Sequence, residues 1–194
     1  NNEDAQSIRK LAQDVEHNLF SIVLVGEFSS GKSTFLNALM HKRILPSFTS
    51  ETTATVNFLK HVDEAPNGEA GIVYYNDGRT EVLPNLDLAT VENVVSTSSR
   101  KGEGAVAKNI RQVDLFLDSP FLKNGIQLVD SPGLNGIAEG HLEITREQIK
   151  SSHAAIFMFS AERPGSKSDF QYLQDLKSKS KNIFFVLNFP EFQL

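Results

Sequence analysis

Residues 23–39 read VLVGEFSSGKSTFLNAL, and the succession of residue types within them organises the rest of the chain. The apolar run FSIVLV leads in, the glycine- and serine-rich GEFSSGKS follows, and STFLNALMHK repeats its apolar residues at helical spacing. The order is strand, loop, helix, with basic residues at the end of the helix where its dipole favours them. Gly26 to Ser33 matches GxxxxGK[ST] at every specified position, in the strand and helix context that the pattern requires. Each residue type has a physical reason. Glycines let backbone N–H groups converge on phosphate oxygens, and the helix N-terminus adds partial positive charge. Lys32 neutralises β- and γ-oxygens, and the Ser33 hydroxyl suits Mg2+. A nucleoside triphosphate site is therefore expected from Gly26, Glu27, Phe28, Ser29, Ser30, Gly31, Lys32, Ser33 and Thr34.

Outward from this loop, the chain of 194 residues has room for one sizeable α/β domain and an appendage. Its hydrophobic content of 40% and charged content of 22% are those of an ordinary globular protein. A net charge of -5 argues against broad nucleic-acid binding, since a phosphate backbone is gripped by a basic surface. The absence of cysteine removes disulfides and thiolate metal sites, and makes a reducing cytoplasm the simplest compartment. No apolar run approaches the ~20 residues that cross a bilayer, so membrane contact is expected to be peripheral or through sequence outside this chain. The five histidines, His17, His41, His61, His141 and His153, show no metal-ligand spacing and read as surface or boundary residues.

Residues 3–19 carry Ile8, Leu11, Ala12, Val15 and Leu19 at steps of three and four, which predicts an amphipathic helix over the N-terminal segment 1–19. Its apolar stripe needs a partner surface, which periodicity alone does not identify. Within 20–194, strands are expected at 54–62, at GIVYY and RTEVL around the turn Asn76-Asp77-Gly78, at IRQVDLFLD, GIQLVD, AAIFMFSA and NIFFVLN. Helices are expected at LDLATVENVVS, near HLEITREQIKSS and over 168–177; SSRKGEGA, with Arg100 and Lys101, reads as a mobile solvated loop. Alternating strands and helices with continuous apolar strands describe an α/β fold, a mostly parallel sheet covered by helices on both faces. Nothing after Asn188 is long enough for another strand and helix, so the domain is expected to lack its C-terminal pair.

Asp130-Ser131-Pro132-Gly133 closes the strand GIQLVD, and a carboxylate at such a strand end lies beside the ligand crevice. There Asp130 can serve Mg2+ through water and the Gly133 N–H can face the γ-phosphate. Between the two motifs, PSFTSETTATV offers Thr52 and Thr53 as hydroxyls of a nucleotide switch. The alternative is a solvated loop that only starts the next strand.

Taken together, GEFSSGKSTFLNAL, LPSFTSETTATV, LVDSPGLN, IFMFSAERPGSKSDFQYL and FFVLN resemble the Ras-like P-loop GTPase domain of the dynamin superfamily. The resemblance is closest to the bacterial dynamin-like proteins, more distant to the mitofusins, and covers most of residues 20–188. It implies GTP hydrolysis to GDP and phosphate, with Mg2+ held by Ser33, Thr53 and Asp130. It implies catalytic roles for Thr53, which positions water with Thr52 as its neighbour, for Gly133, and for Ser29 near a charge-compensating monovalent cation. Phe28 replaces the glutamine of eukaryotic members. By the same resemblance there is no arginine finger, and GTPase domains meet as homo- or heterodimers to become active. A neck, for which residues 1–19 are a candidate, couples them to lipid at the cytoplasmic face of the inner membrane, to fuse, tubulate or cut it. The guanine-reading motif departs from NKxD: Asn188 is followed by Phe189, Pro190 and Glu191, with Glu191 at the aspartate spacing. A divergent base site and a truncated or joined one both fit. A soluble regulatory GTPase of the ribosome-assembly or signalling type, and a nucleotide-binding scaffold with little hydrolysis, stand as the competing functions.

Overall fold

A computed structural model describes residues 2–27, 29–46, 55–95, 110–133, 141–162, 165–166, 169–170, 173–174, 176–177 and 182–189. One eight-stranded sheet runs through it in the order β4-β3-β5-β2-β6-β1-β7-β8. The strands are β1 (Phe20–Gly26), β2 (Val56–His61), β3 (Gly71–Tyr75), β4 (Thr80–Leu83), β5 (Ile110–Leu117), β6 (Ile126–Asp130), β7 (Ala154–Ser160) and β8 (Ile183–Asn188). The helices are α1 (Asn2–Glu16), α2 (Lys32–Leu39), α3 (Leu88–Val95) and α4 (His141–Ser151), with further helical residues between 169 and 177.

β1 lies inside the sheet between two parallel neighbours, β6 from Phe20↔Ile126 to Leu24↔Asp130 and β7 from Ile22↔Ala154 to Gly26↔Met158. Its alternate residues feed two apolar layers. Leu24 joins Leu36 of α2, Val91 and Val95 of α3, Leu59, Leu115 and Leu128 on one face. Val23 and Val25 join Val129, Phe157, Ile149 of α4 and Leu176 on the other. Each such side chain taken from water contributes roughly 1.5–3 kcal/mol, so the helices are held on both faces by burial rather than by propensity.

The parallel arrangement expected from sequence is the majority but not the whole. β1–β6, β1–β7, β2–β5 and β7–β8 pair in parallel, whereas β2–β6, β3–β4 and β3–β5 are antiparallel. The predicted hairpin forms around Asn76–Gly78, and the Asp77 carboxylate accepts the Arg79 backbone N–H, which tightens the turn. β5 and β6 are consecutive in sequence yet separated by β2, so the turn through Pro120–Leu122 crosses over a strand instead of closing a hairpin.

Two expectations need correction. α1 ends at Glu16, and the side chains of its expected stripe at Ile8 and Val15 are 68% and 70% exposed. Among its described side chains the buried one is Asp14, whose Oδ2 lies 3.2 Å from His153 Nε2, while His153 Nδ1 accepts the Ser21 backbone N–H at 3.0 Å. Near its C-terminal end the helix thus meets the sheet through a polar residue. His61 is not a boundary residue but buried at the end of β2, its Nδ1 3.0 Å from Asp63 Oδ2 and its Nε2 3.6 Å from Asp118 Oδ1. Its Nδ1 caps the following turn by accepting the Asp63 backbone N–H at 3.3 Å, which gives one side of the buried ring a partner.

Candidate nucleotide site

The loop from β1 to α2 is built by backbone conformations that its sequence permits. Ser29 has φ 60 and Gly31 φ 90, two left-handed residues that turn the chain back on itself before α2 starts at Lys32. The φ of Gly31 is what favours glycine there, and a Cβ would in addition oblige the Asn188 side-chain amide to move away from the loop. Ser30 N–H donates to the Glu27 carbonyl at 3.2 Å, and Gly31 O accepts the Phe35 N–H at 2.8 Å, seating the loop on the first turn of the helix.

Lys32 is buried inside this loop and donates to the carbonyls of Gly26 at 3.1 Å and Glu27 at 3.0 Å. Burial pushes its ammonium down to about 8, against smaller opposing attractions from Asp130 and Glu27. Next along α2, the Ser33 hydroxyl donates to Asp130 Oδ2 at 3.1 Å, and Thr34 is exposed on the same turn. Asp130 is fully buried at the C-terminal end of β6, and the turn after it is pinned where Ser131 Oγ donates to the Leu24 carbonyl at 2.6 Å. Thr145 of α4 donates to the Pro132 carbonyl at 3.3 Å, which ties the approach to Gly133 to that helix. A hydroxyl and a carboxylate side by side fit Mg2+. That ion commonly takes one or two protein oxygens and fills its octahedron with water and phosphate.

At the other side of the loop, Asn188 at the end of β8 donates from Nδ2 to the Ser30 carbonyl at 3.1 Å. One amide thus links the strand that precedes the base-reading motif to the phosphate loop. Among the expected site residues, Gly26, Glu27, Ser29, Ser30, Gly31, Lys32, Ser33, Thr34, Asp130 and Asn188 come together; Gly133 follows two residues after Ser131. Phe28, Thr52, Thr53 and Glu191 lie outside the described residues, as do Arg100 and Lys101.

The sequence also held a contact that motif reading passed over. Ser166 Oγ donates to Glu27 Oε1 at 2.6 Å, while Ser166 N–H donates to Asp169 Oδ2 and Asp169 N–H to Ser166 Oγ. The signal for the second pair was the capping box SKSD, a serine followed three residues later by an acid. Burial raises the Asp169 carboxyl above its ordinary range, with repulsion from Glu27 adding to it and the hydrogen bond from Ser166 N–H opposing it.

Residues 22–190 match the family model described as the dynamin family. The chain belongs to the dynamin family. It is 28% identical over 190 residues to a bacterial dynamin-like protein of Nostoc punctiforme, covering 95% of this chain and 27% of that protein. To dynamin-like protein A of Bacillus subtilis it is 25% identical, covering 94% of this chain and 20% of the relative. To a probable transmembrane GTPase, FZO-like and chloroplastic, of Arabidopsis thaliana it is 29% identical over 87% of this chain and 15% of the other. The chain thus spans between 20% and 44% of the length of the first three curated relatives. A solved structure from an oligomerised bacterial dynamin pair superposes with TM-score 0.68 at 24% identity, over 97% of this chain and 28% of that one. That likeness supports the fold: a dynamin-type GTPase domain with the mixed sheet and phosphate loop described above. No helix among the described residues is long and apolar enough to cross a membrane.

Proposed function

We propose that this dynamin-family domain binds GTP and hydrolyses it to GDP and phosphate, as the head of a protein that remodels membranes through nucleotide-dependent dimerisation. The observation that carries the reading is the meeting of Lys32, Ser33 and Asp130 at the C-terminal ends of β1 and β6. Lys32 and the loop N–H groups bind the phosphates, and Ser33 and Asp130 would hold Mg2+, which when bound would supply neutralisation of the phosphate charge. Thr53, with Thr52 beside it, orients the attacking water together with the Gly133 N–H, and Ser29 serves a monovalent cation. Asn188 braces the loop while Glu191 reads the guanine N–H groups at the aspartate spacing. Catalysis of this kind is positioning and electrostatic stabilisation, so a partner domain that orders the loops is a sufficient stimulus.

The membrane role is supported by the company the chain keeps: a relative described as a transmembrane GTPase, and a solved dynamin pair described as sensing and tethering membranes. A place at the cytoplasmic face of a membrane, with lipid engaged by other regions and α1 acting as a neck, follows from that reading. The exposed Ile8 and Val15 favour the neck, since this domain covers neither of them.

Calorimetric titration with GDP, GTP and ATP analogues in Mg2+, with light scattering on each mixture, tests the proposal. Guanine-selective binding, with a dimer in GDP, Mg2+ and aluminium fluoride, is the expected result, and Lys32→Ala should lose binding. Equal affinity for adenine and guanine nucleotides, or unchanged turnover in Lys32→Ala, would overturn it.

A further inference from the structure

β2 enters the sheet two strands from the phosphate loop, and residues on one of its faces alternate as Asn57, Leu59 and His61, with Thr55 just ahead. Leu59 lies in the apolar layer with Leu24 and Leu128, which is what the face demands. Asn57 is 0% exposed on that same face. A leucine or valine there would be buried without the desolvation that an amide suffers, so the polar residue needs a reason. Half of one is visible: Thr55 Oγ1 donates to Asn57 Oδ1 at 3.0 Å. The other half of the amide, Nδ2, is buried with no hydrogen-bond partner among the described residues.

The register supplies the missing acceptor. Asn57 stands directly opposite Asp130 in the antiparallel β2–β6 pair. Directly opposed residues of such a pair project to the same face, with Cβ atoms about 4.5–5.5 Å apart. Asp130 already accepts the Ser33 hydroxyl, but a carboxylate offers about four lone-pair positions and can take a second donor without displacing the first. We propose that Asn57 is a positioning residue for the nucleotide site, whose Nδ2 donates to the Asp130 carboxylate when Mg2+ and nucleotide are bound and so fixes the orientation in which Asp130 serves the metal. The inference rests on the GTPase reading above. It adds a connection between motifs, because the same amide holds Thr55, the first described residue after the segment that carries Thr52 and Thr53.

The test is the Mg2+ dependence of affinity for a fluorescent GDP, measured on the chain and on Asn57→Ala and Asn57→Leu, with thermal unfolding of each. Partners behind metal ligands typically change metal affinity 10- to 100-fold. The Mg2+ concentration for half-maximal tightening should therefore rise about tenfold or more in both variants, with GDP affinity in excess chelator within about twofold of wild type. Asn57→Leu fills the volume with apolar atoms and should unfold no earlier than wild type, which keeps the measurement open where alanine destabilises. An unchanged Mg2+ requirement in folded Asn57→Leu overturns the inference and leaves the GTPase reading intact; so does failure of both variants to fold, which makes Asn57 purely architectural. A wild-type chain that binds no guanine nucleotide overturns the GTPase reading and this inference with it.

Discussion

Lys32 ties the phosphate loop to pH. Its ammonium is pushed down to about 8 by burial, from an ordinary 10.5. Between those values the unfolded chain keeps a proton that the folded chain has shed, so unfolding takes up protons and stability rises with pH. The cost of a buried ammonium, on the order of 3 kcal/mol, is present in full below about pH 8 and is relieved toward 10.5. Denaturant unfolding of nucleotide-free protein should show this rise, and Lys32→Met should lack it. Phosphates reverse the preference, because they stabilise the charged form. Above pH 8, nucleotide binding should therefore take up a proton and weaken with rising pH, as calorimetry in buffers of different ionisation enthalpy will report. The loop around Lys32 was legible in the sequence because its chemistry is local: glycine, lysine and serine act within eight consecutive residues, Gly26 to Ser33. Asn57 was not, because its meaning depends on which residue of β6 stands across from it, and no spacing along the chain encodes that register.

Among the elements, α1 and β8 carry the apolar surface that the sheet does not use. The periodicity of α1 correctly announced a helix, but it could not say that Asp14 would meet the domain while Ile8 and Val15 stay exposed. Ile8→Lys and Val15→Lys should each change the unfolding free energy by less than about 0.5 kcal/mol in urea titrations. Asp14→Ala should cost about 1–3 kcal/mol, because it leaves His153 Nε2 half-buried without its acceptor. At the far side, β8 is the last strand of the sheet and exposes Phe184 and Leu187. An apolar strand edge templates pairing with other chains, and charge blunts it. Phe184→Lys with Leu187→Lys should raise the concentration at which the chain stays monodisperse in light scattering, while leaving its unfolding midpoint nearly unchanged. Strand identities could be read from apolar runs, yet their order could not. β2 lies parallel to β5 and antiparallel to β6, and that reversal between neighbours is a property of the assembled sheet.

For the whole molecule, the ligand is a source of stability comparable with many side chains. At a hundredfold excess over Kd, binding adds about 2.7 kcal/mol to the folded state. In a domain of this size that corresponds to a rise of about 5–10 °C in the thermal midpoint, expected with GDP and Mg2+ and absent with ADP. The topology has a different consequence, which concerns synthesis. Of the described strands β1 is made first and lies inside the sheet, yet its partners β6 and β7 begin at Ile126 and Ala154. At about 5–20 residues per second, the ribosome leaves this apolar strand waiting roughly 5–20 s for the first of them. Ribosome-stalled chains ending before Ile126 should be cut by protease near β1, and chains extended well past Ser160 should resist. A strand buried inside the folded sheet is thus among the most vulnerable in the nascent chain, and a chaperone that meets this protein during translation has its reason to bind there.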